Sequence, residues 1–197
     1  MKKLIELCAI LKNHNFESEV FETGRDAAMK VVSLTKSRTV GFGNSMTIKS
    51  LNLIELLKPE AKELYLHIPG KAGEDERNAS LADIYLTSAN SVSMDGNIVN
   101  IDGTGNRVAA TCFGPDKTIY LIGKNKIVEN LPQALNRAKE TAVKLAKHYC
   151  RKTPCVITGK CEECQSPECV CAITTIHRRK PNGLNVSVFL INEELGL

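Results

Sequence analysis

Stretches with helical spacing alternate with short β-prone runs from one end of this chain to the other, and that alternation restricts the fold more than any other feature. Residues 2–13 place Leu4, Leu7, Cys8 and Leu11 on one helical stripe. Thr23 and Asp26 read as a capping box ahead of a helix running to about Thr35. Arg38 to Phe42 is β-prone and breaks at Gly43, and residues 46–58 are expected to form one helix that stops at Pro59. A strand is expected over Glu63 to Ile68, ended by Pro69-Gly70, then a short helix over 74–80 and a strand from Asp83 to Thr87. A turn at Met94 to Asn97 leads into an extended Ile98 to Ile101, a helix over 105–112 and a strand from Thr118 to Ile122. The strongest helix, 131–149, carries Leu131, Ala134, Leu135, Ala138, Ala142, Leu145, Ala146 and Tyr149 on one stripe, with Pro132 in its first turn. Two further strands, Ala172 to Arg178 and Asn185 to Ile191, flank Lys180-Pro181-Asn182-Gly183, which predicts a β-hairpin. Strands separated by helices imply an α/β fold with a mostly parallel sheet flanked by helices, here one domain over 1–197. Such sheets bind ligands at the carboxyl ends of their strands.

Composition excludes several function classes. The net charge of +4 is spread along the chain, and the densest basic patch, His177-Arg178-Arg179-Lys180, reads as a solvated strand end. With no tryptophan and 5% aromatic residues, no nucleic-acid partner is expected. No apolar run approaches the length of a membrane span, so no membrane insertion is expected. The N-terminal MKKLIELCAILKNHNF has its apolar residues at helical spacing among charges rather than in an export signal, which points to a cytoplasmic protein.

That compartment bears on the cysteines. Cys155, Cys161, Cys164, Cys169 and Cys171 crowd the stretch TPCVITGKCEECQSPECVC, with Cys150 just upstream. In a reducing compartment disulfides are rare, so the cluster reads as metal-binding thiolates, with free thiols as the bland alternative. Cys161-x2-Cys164 is a two-ligand knuckle common to zinc and iron–sulfur sites. The loop contains no histidine, and the cofactor stands open between an iron–sulfur cluster and zinc. Cys171 begins a predicted strand and is expected to face either the metal or the core, whereas Cys8 and Cys112 are expected to be plain core residues.

Two loops at expected strand ends are candidates for a small anionic metabolite. In the first, Gly43, Asn44, Ser45 and Thr47 lead from strand to helix, where glycine allows close approach and hydroxyls stand beside helix N-terminal amides. The simpler reading is that Ser45 is only a cap. In the second, Asp102, Gly103, Thr104, Gly105, Asn106 and Arg107 open another helix, with Asn90 upstream. Arg107 opposes the helix dipole there and calls for an anion, either the Asp102 side chain or a ligand.

The loop GFGNSMT, the segment ADIYLTSANSVSMDGNIVNIDGTGNRVAA with its continuation FGPDKTIYLIGKNKIV, and the cysteine tail together resemble the LUD (lactate utilisation) domain, formerly DUF162. The resemblance spans about residues 1–180. It implies a fold of the ribose-phosphate isomerase, glucosamine-phosphate deaminase and CoA-transferase type. It further implies a bacterial role in oxidising lactate to pyruvate beside iron–sulfur or flavin oxidoreductase subunits. Small members with a cysteine tail are often found apart from that system, so a regulatory, metabolite-sensing module with structural zinc is the alternative. The family pattern Gly-Gly-Ser-Met-Thr has Asn44 in place of its second glycine here. Asn90 stands where the related sugar-phosphate isomerases carry an aspartate base, which argues against that chemistry, and no nucleophilic glutamate of the CoA-transferase kind is evident.

Overall fold

The computed structural model describes residues 1–66 and 73–197. Six strands form one fully parallel sheet. In chain order they are β1 (Glu17–Phe21), β2 (Thr39–Phe42), β3 (Glu63–Tyr65), β4 (Ile84–Thr87), β7 (Lys117–Gly123) and β10 (Asn185–Ile191). Their spatial order is β1-β10-β7-β4-β2-β3. The inner strands β4, β7 and β10 are buried along nearly their whole length, as a parallel sheet covered on both faces requires. A second sheet has the order β8-β5-β6-β9. It is made of β5 (Ser91–Ser93), β6 (Ile98–Asp102), β8 (Ile127–Val128) and β9 (Ile173–His177).

Helices α2 (Gly24–Thr35), α3 (Met46–Ser50) and α4 (Leu53–Leu57) cover one face of the large sheet through Ala27, Ala28, Val31, Ile48, Leu53 and Leu57. The opposite face takes α1 (Lys2–Asn13) with Val92 and Ile98 of the second sheet. There α5 (Glu74–Ser80) and α6 (Asn106–Cys112) enclose Tyr85. The long α7 (Leu131–His148) lays Ala134, Ala138 and Ala142 on Val99 and Ile101 of β6. A short α8 (Pro154–Thr158) follows. Among the described residues, no helix is long and apolar enough to cross a membrane.

Three expectations need correction or restriction, and one strand was not expected. The last two strands do not form a hairpin: β9 pairs antiparallel with β6 at the edge of the small sheet, and β10 lies parallel between β1 and β7. Burial explains the separation, since β10 buries Val186, Val188, Phe189, Leu190 and Ile191 and needs neighbours on both edges and both faces. The exposed Ile173 and Ile176 of β9 suit an edge. The helix expected over 46–58 is broken into α3 and α4 by Asn52, whose φ of 50° places it in the left-handed region. Strand β1, unforeseen, alternates exposed Glu17 and Glu19 with buried Ser18. The expected end of the third strand, Ile68 with Pro69-Gly70, lies outside the described residues.

Candidate functional site

The carboxyl ends of β2, β4 and β7 open toward α7 and the cysteine tail. A cleft of about 270 Å³ there is lined by Asn44, by Asp102, Gly103, Thr104, Asn106 and Arg107, by Tyr149 and Arg151, and by Pro167 to Val170 of the tail. A smaller recess of about 30 Å³ adjoins it, lined by Asn44, Ser45, Ser88, Asn90, Arg107 and Lys126 among others. The two share Asn44, Arg107 and Leu145. Eight of the eleven residues expected to bind a ligand thus border these cavities.

The remaining three build the walls. Gly43 lets Arg107 lie against the backbone, since a Cβ there would stand 2.7 Å from Arg107 Cγ and 2.9 Å from the Tyr85 hydroxyl. Thr47 is fully buried and its hydroxyl donates to the Leu195 carbonyl. Gly105 has φ +95° and turns the chain into α6. Helix dipoles add little at this site, because α3 and α6 are only 5 and 7 residues long. Ser45 acts as a plain cap, accepting from the Ile48 amide at 3.4 Å.

Arg107 is held from within the protein. Its Nε donates to Asp102 Oδ2 at 3.0 Å and its Nη2 donates to the Ile101 carbonyl. Asp102 Oδ1 accepts from the Thr104 and Gly105 amides at 3.1 and 3.2 Å. Of the two anions that Arg107 could seek, the local carboxylate is therefore present, and the guanidinium still borders both cavities. Asn90 also has a bracing role: its Oδ1 accepts from the Ile101 amide at 2.9 Å and its carbonyl accepts from Arg137 Nη1.

Sequence reasoning missed Lys126. It follows β7 in a single 3₁₀ turn, is 5% exposed, and donates to Thr47 Oγ1 at 2.8 Å and to Ser88 Oγ at 2.9 Å. Burial, then the charges of Arg137 and Arg107, depress its pKa to about 7. A lysine flanked by Gly-Lys-Asn and Ile-Val carries no local signal of burial; only the pairing of β8 with β5 turns it inward.

The tail brings Cys155, Cys161, Cys164, Cys169 and Cys171 around one cavity floored by Ala142, Val143 and Ala146 of α7. Cys171 is exposed as a residue, yet its thiol is pushed up to about 11, first by partial burial and then by the other thiols, Cys169, Cys161 and Cys164. Cys171 thus faces the cluster and not the core. In number and chemistry this donor set fits a thiolate-held metal. Its spacing is not that of a closed coordination sphere, since no three His, Cys, Asp or Glu side chains among the described residues stand ready to hold an ion. Cys169 and Val170 line the thiol cavity and the cleft alike. Two other readings change: Cys112 is exposed, with Sγ 3.5 Å from His177 Nε2, and His177 of the basic patch is buried.

Comparison with known proteins agrees with this architecture. The crystal structure of a DUF162 family protein from Deinococcus radiodurans shares the fold, with a TM-score of 0.56 over 96% of each chain at 12% identity. No curated protein matches. The sequence pattern of the LUD domain matches residues 4–191, and on that match the chain belongs to the LUD domain family.

Proposed function

We propose that this protein binds a small anionic metabolite, lactate or a related hydroxy acid, in the cleft at the strand ends, and that its cysteine tail holds a metal that forms part of the cleft wall. The observation that carries this reading is the shared wall: Cys169 and Val170 border both the cleft and the thiol cavity. Arg107 and Arg151 supply positive charge on the cleft side, and five thiols supply soft donors on the other. An iron–sulfur cluster there would supply one-electron transfer beside the bound acid, and iron–sulfur or flavin oxidoreductase subunits would then be its partners. The protein's own residues orient the acid through Arg107 and Asn106 and screen it from water with the tail.

A second reading has its own support. The thiol cavity is only about 30 Å³, which suits one ion better than a cluster, so structural zinc in a non-catalytic metabolite sensor is the alternative. Metal analysis and a visible spectrum of protein purified without oxygen separate the two. Iron with sulfide and a broad visible band supports the redox reading, and one colourless zinc per chain supports the sensor. Calorimetric titration with lactate tests the cleft. Arg107→Lys is the suitable variant, because Arg107→Ala would strand the buried Asp102 carboxylate and confound binding with folding. Unchanged lactate affinity in Arg107→Lys removes the forked hydrogen bonding of the guanidinium from the site and leaves only its charge.

A further inference from the structure

Lys126 is the buried cation that the fold does not neutralise. Lysines are almost never fully buried without a partner of opposite charge. The partners of Lys126 are two hydroxyls, Thr47 from α3 and Ser88 from the loop after β4. The charged groups that act on it are Arg137 from α7 and Arg107 from α6, both cationic, and no carboxylate does so among the described residues. The Asp102 carboxylate beside Arg107 is taken up by that guanidinium and two backbone amides.

The hydroxyls matter because they serve either protonation state. Thr47 donates its own hydrogen to the Leu195 carbonyl, so its oxygen can accept from Nζ. Ser88 Oγ can accept from an ammonium or donate to the lone pair of a neutral amine. A carboxylate partner would have locked the lysine in its charged form. Here burial and the two guanidiniums hold its pKa near 7, within reach of a ligand's charge. The recess beside it, about 30 Å³, takes little more than the head of a small acid, and the adjoining cleft has room for the body.

We propose that Lys126 is the anion-neutralising residue of this site, and that a small carboxylate binds there together with one proton taken from solvent onto Lys126 Nζ. The inference rests on the reading of the cleft as an anion site and adds the residue and the proton to it. The balance is simple: carboxylate and proton enter, the neutral amine becomes ammonium, and the pocket gains no net charge. A ligand bound this way is held as an ion pair formed only on binding, so affinity depends on pH although the ligand itself does not titrate.

Isothermal titration with lactate and with oxalate, both fully ionised above pH 6, tests this in two buffers of different ionisation enthalpy. Native protein should take up about one proton per bound anion at pH 8–9, with affinity falling about tenfold per pH unit there. Lys126→Arg, whose charge is fixed, should bind without proton uptake and with little pH dependence. Lys126→Met should lose binding while staying folded, with a melting temperature no lower than that of native protein. Binding by native protein without proton uptake, or uptake undiminished in Lys126→Arg, overturns the inference and leaves the anion site standing. Failure of native protein to bind either acid overturns both.

Discussion

The loop that ends β6 and the cysteine tail that lies against it satisfy their polar groups in opposite ways. In the loop, one carboxylate, Asp102, collects two amides and a guanidinium, and the Arg107 fork also reaches the Ile101 carbonyl. In the tail, five thiols surround a cavity and one of them, Cys171, is raised by partial burial and by its own neighbours. The loop has closed its electrostatics internally and stands ready without a ligand. The tail has gathered donors of one kind, and a bound cation, as proposed, would relieve them. Preorganisation sits on one side of the Cys169–Val170 wall and demand for a ligand on the other.

The largest expected effect breaks the loop. Asp102 and Arg107 are 6% and 14% exposed, so removing one partner leaves a buried charge uncompensated. Asp102→Ala should cost about 3–5 kcal/mol of folding stability. The double substitution Cys161→Ser with Cys164→Ser should leave the melting temperature of metal-free protein almost unchanged yet abolish metal retention. Thermal melts of both variants, with metal analysis of the second, check the contrast. Equal destabilisation by the two changes would show that the tail is as self-sufficient as the loop.

Next comes the third cation of the site. The folded protein holds the Lys126 proton less tightly than the unfolded chain, whose lysine keeps the ordinary value of 10.5. The unfolded state therefore binds more protons between about pH 7 and 10.5, and stability rises with pH through that window. Lys126→Met, which removes the buried charge, should be more stable than native protein at pH 6 by about 2 kcal/mol. That advantage should shrink as pH rises toward 10. Denaturant melts at pH 6, 8 and 9.5 read the difference, and a constant gap would place Lys126 in an ordinary solvated state.

How far the sequence revealed this arrangement depended on how local the signal was. The stripe of α7, the cap at Thr23 and the apolar runs of β4, β7 and β10 are local, and the structure has them where periodicity puts them. The Asp102–Arg107 pair was legible because both residues lie in one turn. The partition of β9 and β10 into different sheets was not, because Lys180-Pro181-Asn182-Gly183 is the same turn signal whether its flanks pair or diverge. Lys126 could not be found by pattern, since its burial depends on Thr47 and Ser88, 79 and 38 residues away. Two of the glycines expected at the ligand also serve packing: Gly43 makes room for Arg107, and Gly103, which lines the cleft, makes room for the tail.

Gly103 sharpens the comparison directly. A Cβ there would stand 3.0 Å from Val170 Cα and 3.1 Å from the Cys169 carbonyl, so the methyl of Gly103→Ala presses on the tail backbone. Where a metal fixes the tail, the strain should cost about 1–2 kcal/mol. In metal-free protein the tail can yield, and the cost should fall by at least half. Melts of native and variant protein with and without chelator measure this. The same penalty in both states would mean the tail is rigid without its ion.

The smallest effect concerns the rim of the cleft. Asn44, where the family resemblance calls for glycine, donates its Nδ2 to the Tyr149 hydroxyl at 2.7 Å and so ties the β2 loop to the end of α7. The bond is half-buried and neutral, so Tyr149→Phe should cost only about 0.5–1 kcal/mol. Its informative readout is ligand affinity. If the bond merely braces the loop, the freed amide swings into the cleft and lactate affinity moves by less than about threefold, an energy below 1 kcal/mol. If Tyr149 holds Asn44 clear of an acid that needs the space, Tyr149→Phe should weaken binding and Asn44→Gly should restore it. Rescue in the double variant would make position 44 a determinant of ligand size, set on the preorganised side of the wall and independent of the metal.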